Sequence, residues 1–319
     1  MRRTILFISL SMFLTWSVEA LSPIYSSADN SSLASELMKI TPQTNWRLVD
    51  SVRLSFPTYH TQGMVKVGDF FFMTTVAVDQ WPKKYDAPQG KYDRDVGVGK
   101  GYVFRFNRQG ELLNTIPIGE RDIYHPGGID CDGTYLYVPV TEYRPLSRSI
   151  IYRVHIETLE VEEMFRFEDS IGALIYNKDT RTLVGANWNA RLFYPWRLNE
   201  KGRCVNTDVD PESLGVKNPS FFINAQDCKY VGNNWMFCSG LEHYYKGELR
   251  VTVGGWELVD MTDYRMVHQT PIPLYAPSGR VMTNNPCAVE RTERGIRAYF
   301  APDDDQTTLY IFEATTAKQ

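Results

Sequence analysis

Residues 125–133 read HPGGIDCDG, and the run that follows, TYLYVPVTEY (134–143), is rich in aromatic and β-branched residues. Such a run marks a strand, and Asp132-Gly133 ahead of it is the chemistry of a tight hairpin. The two glycines in front let the backbone bend sharply or pass close to another chain segment. The stretch therefore reads as a small-residue start, a strand, a turn and a second strand. The same order returns in HTQGMVKVGDFFFMTTV from His60, DSIGALIYNKDTRTLVGANW from Asp169, NAQDCKYVGNNWMFCSGL from Asn224 and NNPCAVERTERGIRAYFAP from Asn284. Their turns carry Gly-Asp, Lys-Asp, Gly-Asn and Arg-Gly.

Most units continue into a third strand and often a fourth, as in YVFRFNRQGELLNTIPI and IIYRVHIETLEVEEMFRF. Four-stranded units repeated roughly every 45 to 64 residues are propeller blades. The sequence thus predicts an all-β protein, a β-propeller of five blades, or six if residues 240–280 conceal a degenerate one. The last unit ends on TTLYIFEA, one strand short, while WRLVDSVRLSF (Trp46–Phe56) precedes the first unit without a partner. The N-terminal strand is expected to complete the last blade, which removes exposed sheet edges.

Arg2 and Arg3, the apolar run from Thr4 to Trp16 and Val18-Glu19-Ala20 read as a secretory signal over residues 1–20. The run is shorter than the ~20 residues that cross a bilayer. Residues 21–44 read as a polar leader and 45–319 as one propeller domain. The expectation is a secreted or secretory-pathway protein with no membrane association after cleavage. Losing two arginines and one glutamate with the signal takes the formal charge from −4 to about −5, and with no basic stripe to meet phosphates a nucleic-acid partner is not expected. Asn30 heads a glycosylation sequon, Asn-Ser-Ser. Among five cysteines, Cys228 and Cys238 could close the hairpin CKYVGNNWMFC, or remain buried thiols. Gly-x-Ser-x-Gly is missing, and GVGKG (97–101) lacks phosphate-loop spacing.

In a propeller blade the innermost strand begins and the second strand ends on the same face. That places His125 beside Glu142 and Tyr143, Gln62 beside Thr75, Asp169 beside Asn187 and Trp188, Gln226 beside Ser239, and Asn285 beside Asp303. These groups gather at one mouth of the central channel, the expected place for a ligand. His125 is the candidate acid–base group with Glu142 to orient it, or else a histidine that caps its turn. Gln226 joins the catalytic candidates, and Gln62, Tyr143, Asn187, Trp188, Phe222 and Asn285 are the candidate binding residues. Asp303-Asp304-Asp305 reads either as a solvated loop or, with Glu142 and Asn187, as oxygen donors for calcium. Residues 79–101 read as a rim insertion, either a lid that makes apolar contact through Trp81 and Tyr85 or plain surface decoration.

The stretches HTQG, HPGGIDCDG, VPVTEYRP, RSIIYRV and SIGAL resemble an uncharacterised family of secreted bacterial and fungal propeller proteins over nearly the whole mature chain. More loosely, the arrangement is similar to calcium-dependent lactonase and strictosidine-synthase-like propellers, whose channel metal is held by Glu, Asn and Asp; that resemblance implies calcium at Glu142, Asn187 and Asp303. The chain is also similar to fungal hetero-Diels-Alderases that couple a tropolone quinone methide with humulene, which implies a cofactor-free enzyme of meroterpenoid biosynthesis. The leading expectation is an enzyme that holds a hydrophobic small molecule at the mouth and catalyses a cyclisation or cycloaddition by orientation. Calcium-dependent lactone or ester hydrolysis and non-catalytic carbohydrate binding are the alternatives.

Overall fold

The computed structural model describes residues 33–316; the expected signal peptide at 1–20 and the sequon at Asn30 lie outside them. Five antiparallel sheets follow one another along the chain, and in each the strands run outward from a common axis. Blade 1 is His60–Val67, Phe70–Gln80, Val98–Asn107 and Leu112–Ile118. Blade 2 starts on an inner strand broken into Ile123–Pro126 and Asp130–Cys131, then Tyr135–Glu142, Ser149–His155 and Val161–Phe167. Blade 3 is Ile171–Asn177, Thr182–Asn187, Leu192–Arg197 and the short Val216–Lys217. Blade 4 is Asn224–Tyr230, Trp235–Lys246, Leu249–Asp260 and Met266–Pro271. Residues 240–271 thus belong to the elongated second and third strands and the fourth strand of this blade, and the propeller has five blades.

Blade 5 contributes Cys287–Thr292, Gly295–Phe300 and Thr308–Thr315, and its fourth strand is Trp46–Arg53. That N-terminal strand pairs antiparallel with Thr308–Thr315, from Trp46 opposite Ala314 to Arg53 opposite Thr308. The ring closes as the sequence predicts. Backbone bonds between Thr58 N–H and Asp305 O, 2.7 Å, and between Asp305 N–H and Tyr59 O, 2.7 Å, reinforce the junction.

The core is divided into five apolar layers, one between each pair of neighbouring blades. Because both faces of an inner strand are covered, strands read as nearly continuous apolar runs rather than as strict alternation. In Phe71-Phe72-Met73 the outer two side chains enter the layer against blade 5 and Phe72 enters the one against blade 2. The leader supplies part of this core. Residues 33–37 are helical, and Leu33, Ala34, Leu37 and Ile40 are buried in the layer between blades 4 and 5. The His268 ring bonds the Ile40 carbonyl at 2.7 Å. Among the described residues no helix is long and apolar enough to cross a membrane.

At the axis the inner strands touch directly. Gly128 N–H donates to Gly172 O at 2.8 Å and Leu174 N–H to Gly128 O at 3.1 Å, so blades 2 and 3 share a parallel bridge. Two buried aspartates finish the axial network. Asp227 of blade 4 accepts Met64 N–H at 2.9 Å, Ile129 N–H at 3.1 Å and Cys287 N–H at 3.1 Å, taking in blades 1, 2 and 5, and it also binds the Lys229 ammonium. Asp130 of blade 2 accepts Tyr176 N–H at 3.1 Å and Tyr230 N–H at 2.9 Å from blades 3 and 4.

Burial pushes the Asp130 carboxyl up to about 6, against the pull of Lys229 and three backbone N–H groups. With an unfolded value of about 3.9, the folded state binds the extra proton between these two pH values. Its contribution to stability is then greatest below about pH 4 and falls as pH rises through 6. Asp130→Asn should gain on the wild type by about 2–3 kcal/mol in urea unfolding between pH 4 and pH 7. A stability difference that does not vary with pH would show that this carboxyl titrates normally.

Candidate functional site

The inner strands all begin at one end of the channel, and a cavity of about 310 Å³ opens there. Blade 1 presents His60 and Gln62, blade 2 His125, Thr141 and Tyr143, and blade 3 Gly172 and Trp188. Blade 4 adds Asn224, Gln226, Glu242 and His243, and the approach to blade 5 adds Asn284 and Asn285. The expected convergence of His125, Gln226, Gln62, Tyr143, Trp188 and Asn285 on one mouth is therefore present. The other expected residues lie outside the cavity lining.

Glu142 is one of these, for a reason of strand geometry. His125 pairs with Thr141, and in a strand the next side chain points to the opposite face. The Glu142 carboxylate meets Arg144 at 2.7 Å and Arg148 at 2.8 Å instead of the imidazole. Arg144 in turn stacks 3.5 Å over the Tyr92 ring and donates to Arg94 O, so Glu142 anchors the rim insertion. The insertion carries a small hairpin, Lys84–Gln89 with Tyr92–Arg94. It brings Trp81 within 5.9 Å, ring to ring, of both His60 and Tyr143.

Asn187 turns its carbonyl to the N–H groups of Arg191 and Leu192, at 2.8 and 3.0 Å. Phe222 packs beside Gly255, and Asp303 accepts from Ser278. The three donors expected for calcium are thus committed to separate partners. Among the described residues no three His, Cys, Asp or Glu side chains group so as to hold a metal ion, and the expected donor set does not fit the cation. Cys228 and Cys238 face each other across blade 4 as free thiols with their Sγ atoms in contact.

A candidate acid–base group that the sequence pattern does not mark is His60. Its Nδ1 lies 2.9 Å from Asp304 Oδ1, and Arg280 holds the other Asp304 oxygen at 2.8 Å. Burial alone would raise the Asp304 carboxyl, but the His60 and Arg280 contacts outweigh it and keep it below its ordinary range. The imidazole is therefore oriented by an ionised carboxylate, which leaves Nε2 free for chemistry. The middle of the acidic triplet is spent on this pairing.

His125 is different in kind. Burial first, and the nearby His60 second, drive its pKa well below the ordinary histidine value, so the ring is neutral at neutral pH. It lies 4.0 Å from the Tyr143 ring and 5.6 Å from Trp188. Burial also pushes the Tyr143 phenol up to about 12, so it stays protonated. His125 and Gln62 are each 7% exposed, and His125 Nε2 and Gln62 Nε2 have no hydrogen-bond partner within the protein; nor has Asn224 Oδ1. Buried polar atoms are rarely left so. Three of them gather at this one cavity, which makes it the candidate ligand site.

Fold and site together define a five-bladed β-propeller with a polar, aromatic-walled pocket at one channel mouth. The chain belongs to a family of unknown function, DUF6454, whose model matches residues 17–318. No curated protein matches the sequence. The solved structures that the chain matches include three of different kinds. Hydrazine synthase of Kuenenia stuttgartiensis is 12% identical, with 79% of this chain and 58% of that one covered and a TM-score of 0.37. The tail fiber of Staphylococcus aureus phage P68 is 7% identical over 89% of this chain and 56% of that one, with a TM-score of 0.46. A luciferin-regenerating enzyme is 8% identical over 83% and 95%, with a TM-score of 0.45. The chain spans little more than half the length of the first two.

Proposed function

We propose that the protein is an enzyme that moves a proton on a small oxygen-bearing ring held in the mouth. The observation that carries this reading is the Asp304–His60 pair opening onto the same cavity as two buried, unpartnered side-chain nitrogens, His125 Nε2 and Gln62 Nε2. His60 Nε2 would take a proton from a carbon next to a carbonyl. The electron pair of that C–H bond would form a carbon–carbon double bond as the carbonyl π pair moves onto oxygen, and His60 would return the proton to that carbon or to the oxygen. The Gln62 amide is placed to donate to the oxygen as charge builds on it, and the neutral His125 ring beside it adds no competing charge.

The cycloaddition expected from the sequence keeps its hydrogen-bonding half in this scheme, since the same amide would polarise a quinone-like carbonyl. Its demand for two apolar partners is less well matched by a pocket lined mainly by amides, histidines and a carboxylate. Secretion, which the first twenty residues suggest, belongs to the same proposal.

The test is deuterium uptake. Hydroxylated ketones and related rings are incubated in D₂O with the wild type, and exchange is followed by NMR. Wild type should label at least one of them, and His60→Gln, folded to the same melting temperature, should label it at least ~10²-fold more slowly. Labelling by neither protein, or at equal rates by both, would overturn the assignment.

A further inference from the structure

We infer that the mouth selects an uncharged, hydroxylated single ring, of the monosaccharide or cyclitol kind, over anions and over purely apolar rings. This rests on the mouth being the ligand site proposed above and adds its chemical class. The first support is charge. Among the described residues no lysine or arginine lines the cavity; the nearby Arg280 and Arg144 are held by Asp304 and Glu142. Glu242 lies on the rim itself. A carboxylate or phosphate placed there would lose its hydration with no counter-charge in return, which is costly.

The second support is the sign of the free hydrogen-bonding groups. Gln62 Nε2 can only donate, and Asn224 Oδ1 can only accept. A ligand that satisfies both needs an acceptor and a donor, and a hydroxyl group is both at once. Gln226, Asn284 and Asn285 add amides that can serve in either direction. The third support is shape. Trp188 and Tyr143, with ring centroids 5.8 Å apart and planes tilted 44° to each other, give the cavity an angled apolar wall, and the C–H face of such a ring can lie on one of the two. The cavity volume of about 310 Å³ equals roughly ten water-sized units, enough for one substituted ring.

The class is tested by equilibrium binding, which makes no demand on catalysis. Glucose, galactose and myo-inositol are titrated into the wild type by saturation-transfer NMR and calorimetry, beside glucuronate and glucose 6-phosphate as anionic twins and toluene as the apolar ring. At least one neutral polyol should bind, at least tenfold more tightly than its anionic twin and more tightly than toluene. Gln62→Leu and Trp188→Ala should each weaken it tenfold or more, about 1.4 kcal/mol, with unchanged melting temperature. No polyol binding, tighter binding of an anion or of toluene, or full binding by both variants would overturn the inference. Polyol binding together with undiminished proton exchange by His60→Gln would overturn the acid–base reading alone.

Discussion

Asp227→Ala should fail to give a stable ring. One carboxylate serves backbone N–H groups from blades 1, 2 and 5 and the ammonium of Lys229. Its own burial is unfavourable, and its pKa is raised by desolvation despite Lys229 and the N–H donors. Removing it leaves three buried donors without an acceptor, at about 1–3 kcal/mol each, and a buried cation without its contacting carboxylate, worth up to a further ~3–5 kcal/mol. That sum reaches the whole stability of a typical domain, about 5–15 kcal/mol. The variant is expected to be insoluble, or to unfold at a much lower urea concentration. Adding Lys229→Met should recover part of the loss, because the stranded charge goes with it. A single Asp227→Ala variant with an unchanged urea midpoint would show that the axis is held by apolar packing alone.

Gly127→Ala should have the next largest effect, for a steric reason rather than a conformational one. A Cβ at Gly127 would sit 2.1 Å from Gly172 O and 2.7 Å from Gly172 C, and at Gly128 it would sit 2.7 Å from Gln226 O. The obstacles are backbone atoms of the neighbouring blades, so no side chain can swing aside. Overpacking usually costs about 1–3 kcal/mol. Here the Gly128–Gly172 bridge is lost as well, and more than 3 kcal/mol is expected, a fall in melting temperature of roughly 6–12 °C. Gly279→Ala is the control, because it has a positive φ of 85° but nothing within 4 Å. Its cost should stay near 1 kcal/mol. Equal melting temperatures for the two variants would remove the close approach as the reason for the glycine.

The same pair of glycines shows how much the sequence could reveal. Strand, turn and blade number are local properties, carried by Asp132-Gly133 and its counterparts, and closure followed from one missing strand and one spare one. The axial network is not local. Asp227 meets Met64 across 163 positions and Asp130 meets Tyr230 across 100, and nothing in either neighbourhood names the partner. One signal was available: Asp-Cys occurs in two inner strands, at Asp130-Cys131 and Asp227-Cys228, where an acid in an otherwise buried strand needs a reason. His60 and Asp304 were hidden in the same way, 244 residues apart. Once the first and last blades are neighbours, a histidine at the start of one and an acidic triplet at the end of the other become an obvious pair. Glu142 misled because its position in the chain is right while its side chain alternates away from the pocket.

The strand that finishes blade 5 also fixes the order of assembly. Arg47 finds Glu313 only 266 residues later, so during synthesis Trp46–Arg53 has no neighbour until nearly the entire described chain has emerged. Contacts of such long range form late and slowly. A nascent chain stalled before Thr308 would hold four finished blades and two raw edges, prone to stick to other chains. Under pulling force or heat, opening should begin at this seam and free the first blade and the last together, taking His60 away from Asp304 before the remaining blades have moved.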